Sequence, residues 1–136
     1  MKAHPYLNFG GDCGDAFRFY QQVLGGKLEV MTFADAPMPG TPPGWDDRVM
    51  HACLMTGDVV LMASDAPPEH FSRPAGMYVS LHVDDVAEAE RVWAAFAQGG
   101  TVAMPLEKTF WAERFGMLSD RFGTPWMINC TPTPAA

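Results

Sequence analysis

Hydrophobic and polar positions along this chain change period several times, and each change marks an element. From His4 to Phe9 they alternate as in a strand, and Gly10-Gly11 breaks the run. Ala16, Phe19, Tyr20 and Val23 then recur at helical spacing. They predict a helix from Asp12, a candidate N-cap, to about Leu24, with Asp15 in its first turn and Gly25-Gly26 as its stop. Leu28 to Ala34 alternates weakly and reads as a strand. Val49 to Thr56 and Val59 to Ser64 flank Gly57-Asp58 and read as a hairpin. The first half is therefore βαβββ.

The same pattern then restarts. Met77 to Val83 predicts a strand and Asp85 an N-cap with Glu88 as its capping-box partner. Ala89, Val92, Trp93 and Phe96 form an apolar helical face that ends at Gly99-Gly100. Asp12 matches Asp85, Asp15 Glu88, Ala16 Ala89, Arg18 Arg91, Tyr20 Trp93 and Gly26 Gly99, which points to an internal repeat. Thr101 to Met104, Arg114 to Leu118 and Trp126 to Cys130 supply three more strands, the last two joined as a hairpin through Ser119 to Pro125. The expected fold class is α+β: two tandem βαβββ modules whose mixed sheets curl into a cup, with helices on one face and alternate strand residues lining the other. Residues 3–66 form module one, 67–76 a Pro-rich linker and 77–131 module two, within a single domain of 1–136. The segment 35–47 carries Pro37, Pro39, Pro42 and Pro43 with apolar tips at Met38 and Trp45, and reads either as a lid or as a surface loop. Thr131 to Ala136 is a Pro-rich tail expected to be loose.

Composition narrows the function classes. A net charge of -7 with nine scattered Lys and Arg argues against nucleic acid as a partner. No apolar run reaches the ~20 residues of a membrane span, so no membrane partner is expected and a cytoplasmic location is. Cys13, Cys53 and Cys130 lack the close paired spacing of a zinc or redox motif and read as reduced thiols.

A concave sheet face is where chemistry is expected. His51 lies in a strand where Val49, His51 and Cys53 are placed on one face, either as a hydrogen-bonding pocket residue or as a satisfied histidine of the sheet. Arg114 stands between Trp111 and Phe115, suiting either a strand clamp, with Glu113 or Asp120 as partner, or an anionic or planar ligand. Trp126 shares the same alternatives of pocket and core. Met62 and Met127 would give an adaptable apolar wall. Cys13 opens a helix, where the dipole lowers a thiol pKa. His82, before Asp84-Asp85, reads as a cap-side or surface residue, and His4 and His70 carry no signal. No Gly-rich phosphate loop, nucleophile elbow or dinucleotide fingerprint is present.

The succession His-Pro-Tyr-Leu-Asn-Phe, Phe-Tyr-Gln-Gln-Val-Leu-Gly-Gly, Val-Met-His-Ala-Cys-Leu, Leu-Met-Ala-Ser-Asp, Phe-Trp-Ala-Glu-Arg-Phe-Gly and Asp-Arg-Phe-Gly-Thr-Pro-Trp-Met-Ile-Asn resembles the PhnB-like branch of the vicinal oxygen chelate superfamily. Glyoxalase I, bleomycin-resistance proteins and extradiol dioxygenases belong to that superfamily. The resemblance implies tandem βαβββ modules and a homodimer. It also implies metal ligands on the first and last strand of each module, which fall near His4 or Pro5, Met62, Tyr78, and Met127 or Asn129. Thioether, phenol and carboxamide replace poorly the imidazoles and carboxylates that hold a divalent ion, so no catalytic metal and no cofactor are expected. The leading expectation is a small organic ligand held by His51, Met62, Tyr78, Trp111, Arg114, Phe115, Trp126 and Asn129. Alternatives are a metal-dependent lyase or dioxygenase, and a methyltransferase of demethylated ubiquinone, although the chain lacks a Gly-rich loop for S-adenosylmethionine.

Overall fold

The computed structural model describes residues 1–36 and 39–131, so Pro37, Met38 and the tail from 132 onward lie outside the described residues, and with them part of the candidate lid. The chain divides into two compact units, Met1–Ser72 and Arg73–Ala136, and the division falls inside the Pro-rich segment 67–76. In unit one the order is β1 (Tyr6–Phe9), α1 (Cys13–Leu24), β2 (Lys27–Thr32), β3 (Val49–Thr56) and β4 (Val59–Asp65). In unit two it is β5 (Val79–Val83), α2 (Val86–Ala97), β6 (Thr101–Glu107), β7 (Arg114–Ser119) and β8 (Pro125–Cys130). Each unit is βαβββ, and each holds one open mixed sheet. The orders are β1-β4-β3-β2 and β5-β8-β7-β6, with the first strand parallel to the last and the other pairs antiparallel.

Helix α1 forms because Cys13, Ala16, Phe17, Tyr20 and Val23 make one buried stripe. Phe17, not Phe19, is the aromatic at its centre. It is fully buried, with its ring edge-on to Phe9 at 6.1 Å and to Tyr20 at 5.4 Å. In α2 the stripe is Ala89, Val92 and Phe96, and Phe96 stacks on Trp126 of β8 at 4.5 Å.

The helix starts differ. Asp85 caps α2 as expected, its Oδ1 accepting from the Glu88 N–H at 2.7 Å, but the Glu88 carboxylate turns outward to Arg91 rather than closing the box. Asp12 makes no side-chain cap bond. Asp65, at the end of β4, supplies that acceptor instead. Its Oδ1 takes the N–H groups of Gly11 and Cys13, both at 3.0 Å, and its Oδ2 takes that of Val49 at 2.9 Å. A buried carboxylate is tolerated there because three donors replace its water.

Two glycines show how the repeat is registered. A Cβ on Gly26 would lie 2.3 Å from the Met55 carbonyl oxygen, and one on Gly100 2.3 Å from that of Ser119. Lys27 pairs with Met55 and Thr101 with Ser119, so Gly26 corresponds to Gly100, not to Gly99. The second module carries one extra residue between its helix and its next strand.

Two local features displace strand residues from their expected faces. A register shift between Met31 and Thr32 moves the pairing from His51 to Val49, skipping Met50. Val49 is therefore buried and joined to Asp65, and does not share a face with His51 and Cys53 as simple alternation suggests. Strand β6 runs to Glu107 through Pro105, which an edge strand accommodates. No helix among the described residues is long and apolar enough to cross a membrane.

Candidate functional site

Each sheet has one face against its own helix and one turned away from it, because successive side chains alternate. In unit one Phe9, Ala52, Leu54, Leu61 and Ala63 are the buried, helix-side set. The opposite face carries Tyr6, His51, Cys53 and Met62, with Tyr6 beside Met62 and Met62 beside Cys53 in the ladder. The Tyr6 hydroxyl and His51 Nδ1 are 3.1 Å apart, and the two rings stack at 5.8 Å. His51 and Met62 are thus brought to one face, and Tyr6 joins them.

In unit two Trp126, Ile128, Cys130 and Leu118 are fully buried on the helix side. The opposite face holds two rows read from the pairing. One is Ser80, Met127, Met117 and Met104; the other is His82, Asn129, Phe115 and Glu107. Trp111, in the turn before β7, lays its ring edge against Phe115 at 5.4 Å and stays half-exposed. The turn is held by the Thr109 hydroxyl, which accepts from the Ala112 N–H at 3.0 Å.

Asn129 is the anomaly of that face. It is 8% exposed, and one end of its carboxamide, Nδ2, lies 3.0 Å from His82 Nδ1. His82 Nε2 in turn lies 3.3 Å from the Ser80 hydroxyl. The other end, Asn129 Oδ1, is buried and has no hydrogen-bond partner among the described residues. An unsatisfied buried acceptor costs about 1–3 kcal/mol, so this oxygen calls for a donor, whether an ordered water or a bound molecule.

The other expected ligand residues go elsewhere. Trp126 is fully buried, with its Nε1–H donated to Asp120 Oδ2 at 2.8 Å and its ring on Phe96. Arg114 donates to the Glu113 carbonyl at 2.6 Å and lies 3.5 Å from the Glu90 carboxylate on α2, so it faces the helix side while Phe115 faces away. Tyr78 precedes β5 and is 40% exposed. Sequence reasoning did not pair His82 with Asn129. The signal was available in the parallel alignment of the first and last strands, but 47 residues separate the two.

Cys13 is not an activated thiol. Burial, then the charges of Asp65 and Asp12, push its pKa well above the ordinary 9.0, against a smaller opposing effect of Arg18. The N-terminal end of α1 borders a cleft of about 240 Å³ lined by Asp15, Arg18, Arg48 and Asp65 among others. Four of its five charged groups are engaged: Arg18 with Asp15 at 2.9 Å, Arg48 with the Gly11 carbonyl at 2.9 Å, and Asp65 with three N–H groups.

The family model for the glyoxalase/bleomycin resistance protein/dioxygenase superfamily matches residues 2–128. The chain belongs to this superfamily. A crystal structure of PA1353 from Pseudomonas aeruginosa is 49% identical, with 98% of this chain and 99% of that one covered and a TM-score of 0.89. YjdN of Escherichia coli K12 is 34% identical over 139 residues, 95% of each chain. A protein from Bacillus cereus named as a PhnB protein and putative 3-demethylubiquinone-9 3-methyltransferase is 23% identical over 96% of this chain and all of its own, with a TM-score of 0.78, a likeness of fold.

The superfamily's metal positions can be tested on the donors present. Tyr6 is the β1 residue paired with Met62 of β4, and its hydroxyl is taken by His51; His4 and Pro5 precede the strand. In unit two Ser80 pairs with Met127. Phenol, thioether and hydroxyl do not fit a hard or borderline divalent ion. Among the described residues no three His, Cys, Asp or Glu side chains group to hold one.

Proposed function

We propose that this superfamily member binds a small organic molecule on the helix-free face of its second sheet, and does so without a catalytic metal. The observation that carries this is the buried Asn129 Oδ1, without a partner among the described residues, in a row with Phe115, whose ring in turn meets the half-exposed ring of Trp111. Aromatic surface supplies affinity, and one placed polar atom fixes orientation. Met117 and Met127 add polarizable wall that adapts to ligand shape. On the first sheet, the face of His51 and Met62 is the matching candidate surface; Tyr78 flanks β5, while Arg114 and Trp126 serve the helix side. In this proposal the protein works in the cytoplasm, and as a homodimer, the latter as its resemblance to the PhnB-like branch suggests.

The test is a ligand-observed NMR screen of uncharged and charged aromatic fragments against the wild type and the Trp111→Ala and Phe115→Ala variants. Fragments that bind the wild type and lose their signal in both variants are expected. A screen in which binding never depends on either ring overturns the site. Metal analysis of the purified protein checks the metal-free part, and one bound divalent ion per chain refutes it.

A further inference from the structure

Resting on the binding face just proposed, the geometry points to a ligand class: we infer that the molecule is planar, carries an O–H or N–H donor, and has no negative charge. Asn129 is held at one end only. With His82 Nδ1 as acceptor, the Asn129 Nδ2–H donates to it at 3.0 Å, and the His82 Nε2–H is directed to the Ser80 hydroxyl at 3.3 Å. That arrangement of protons gives each nitrogen and oxygen of the three polar groups at least one partner except Asn129 Oδ1, a buried acceptor with none among the described residues. Only a donor completes it.

Charge on the same face agrees. Glu107 is the cross-strand partner of Phe115, so its carboxylate stands at the end of the row His82, Asn129, Phe115. Arg114, next to Phe115 in sequence, is turned to the other side of the sheet and held by Glu90 and the Glu113 carbonyl, and Lys108 follows Glu107 on the edge of the sheet. An anionic ligand would meet a carboxylate and a carbonyl dipole with its own sign of charge, in a chain whose net charge is -7. The half-exposed ring of Trp111 can accept a flat ring, and favours one that is neutral or cationic. A phenol or an aromatic amine meets these requirements; a carboxylate or phosphate does not.

The experiment uses three probes with one ring system: 2-naphthol, 2-methoxynaphthalene and 2-naphthoate. Binding to the intact protein is followed by NMR in the wild type and in Asn129→Leu and Trp111→Ala. The donor is expected to bind the wild type about ten-fold more tightly than the ether, the size of one hydrogen bond to a buried acceptor, and the carboxylate more weakly than both. In Asn129→Leu the preference for naphthol over its ether should fall to about one. Equal binding of naphthol and ether in the wild type, or tighter binding of naphthoate, while Trp111→Ala still abolishes binding, overturns the ligand class and leaves the binding face standing. Binding of no probe in a Trp111-dependent way removes the face and the class together. Nitrogen-15 shifts of His82 in the free wild type give a second readout that needs no variant. An unprotonated Nδ1 is expected, and a protonated Nδ1 would make the unpartnered group an N–H donor and overturn the inference.

Discussion

The Asp65 carboxylate accepts a hydrogen bond from the backbone N–H of Cys13 at 3.0 Å, across 52 positions of sequence. The last strand of the first module thereby caps the helix that follows its first strand, and the same carboxylate fixes the start of β3 through Val49. Asp65→Ala would strand three N–H groups, two of them buried and that of Gly11 partly so, and a loss of about 3 kcal/mol is expected. Urea denaturation followed by far-ultraviolet circular dichroism measures it; a loss below about 1 kcal/mol would mean that water takes over the cap.

Cys13 shares that capped end and should be silent. Its thiol pKa is raised in the folded state, so the native protein keeps a proton that the unfolded chain releases above the ordinary 9.0. The sign follows: this contribution is fully present below pH 9.0 and is lost as pH rises beyond it, at a limiting slope of about 1.4 kcal/mol per pH unit. Denaturation midpoints of wild type and Cys13→Ala should converge between about pH 8 and pH 10.5. In the native protein an alkylating reagent should modify half-exposed Cys53 before Cys13.

Gly116 lies where β7 passes under α2. A Cβ there would stand 2.6 Å from Trp93 Cζ3 and 3.0 Å from the Leu106 Cα. Gly116→Ala is expected to cost about 1–3 kcal/mol through overpacking, and Gly116→Ala combined with Trp93→Leu should recover part of it. A double variant no better than the single one would place the strain in the backbone instead.

His51 bonds to Tyr6 on the helix-free face of the first sheet, where Tyr6 is 49% exposed. Water can replace either partner, so His51→Ala should change stability by less than about 1 kcal/mol. Ligand affinity is the quantity expected to fall if this face takes part in binding. A thermal melt beside a fragment titration separates the two, and a collapse of the melting temperature would assign His51 to the sheet's stability.

Much of the architecture could be read from residue order because its signals are local. The stripe of α2, the Gly57-Asp58 turn, the Asp85 cap and the β7–β8 hairpin each depend on residues within a few positions of one another, and all are present. The errors came from local rules applied where a distant partner decides. Asp12 has the right identity for a cap, but Asp65 takes the role. Strict alternation puts Val49 on the face of His51 and Cys53, but the register shift at Met31 and Thr32 displaces it. Phe19 fits a helical stripe, but Phe9 selects Phe17.

By itself the sequence determined the period of each segment, the duplication and the superfamily, since these are written in neighbouring residues and in their order. Tertiary structure alone decided which side of each sheet a side chain takes and what it meets there. Arg114 and Phe115 are adjacent, yet one is bound to Glu90 beside the helix and the other faces away beside Asn129. Asn129 and His82 meet only because β5 and β8 pair in parallel, and the oxygen left without a partner exists only in that pairing. Hydrogen-bond satisfaction is a property of the assembled neighbourhood, so no residue's identity could have declared it.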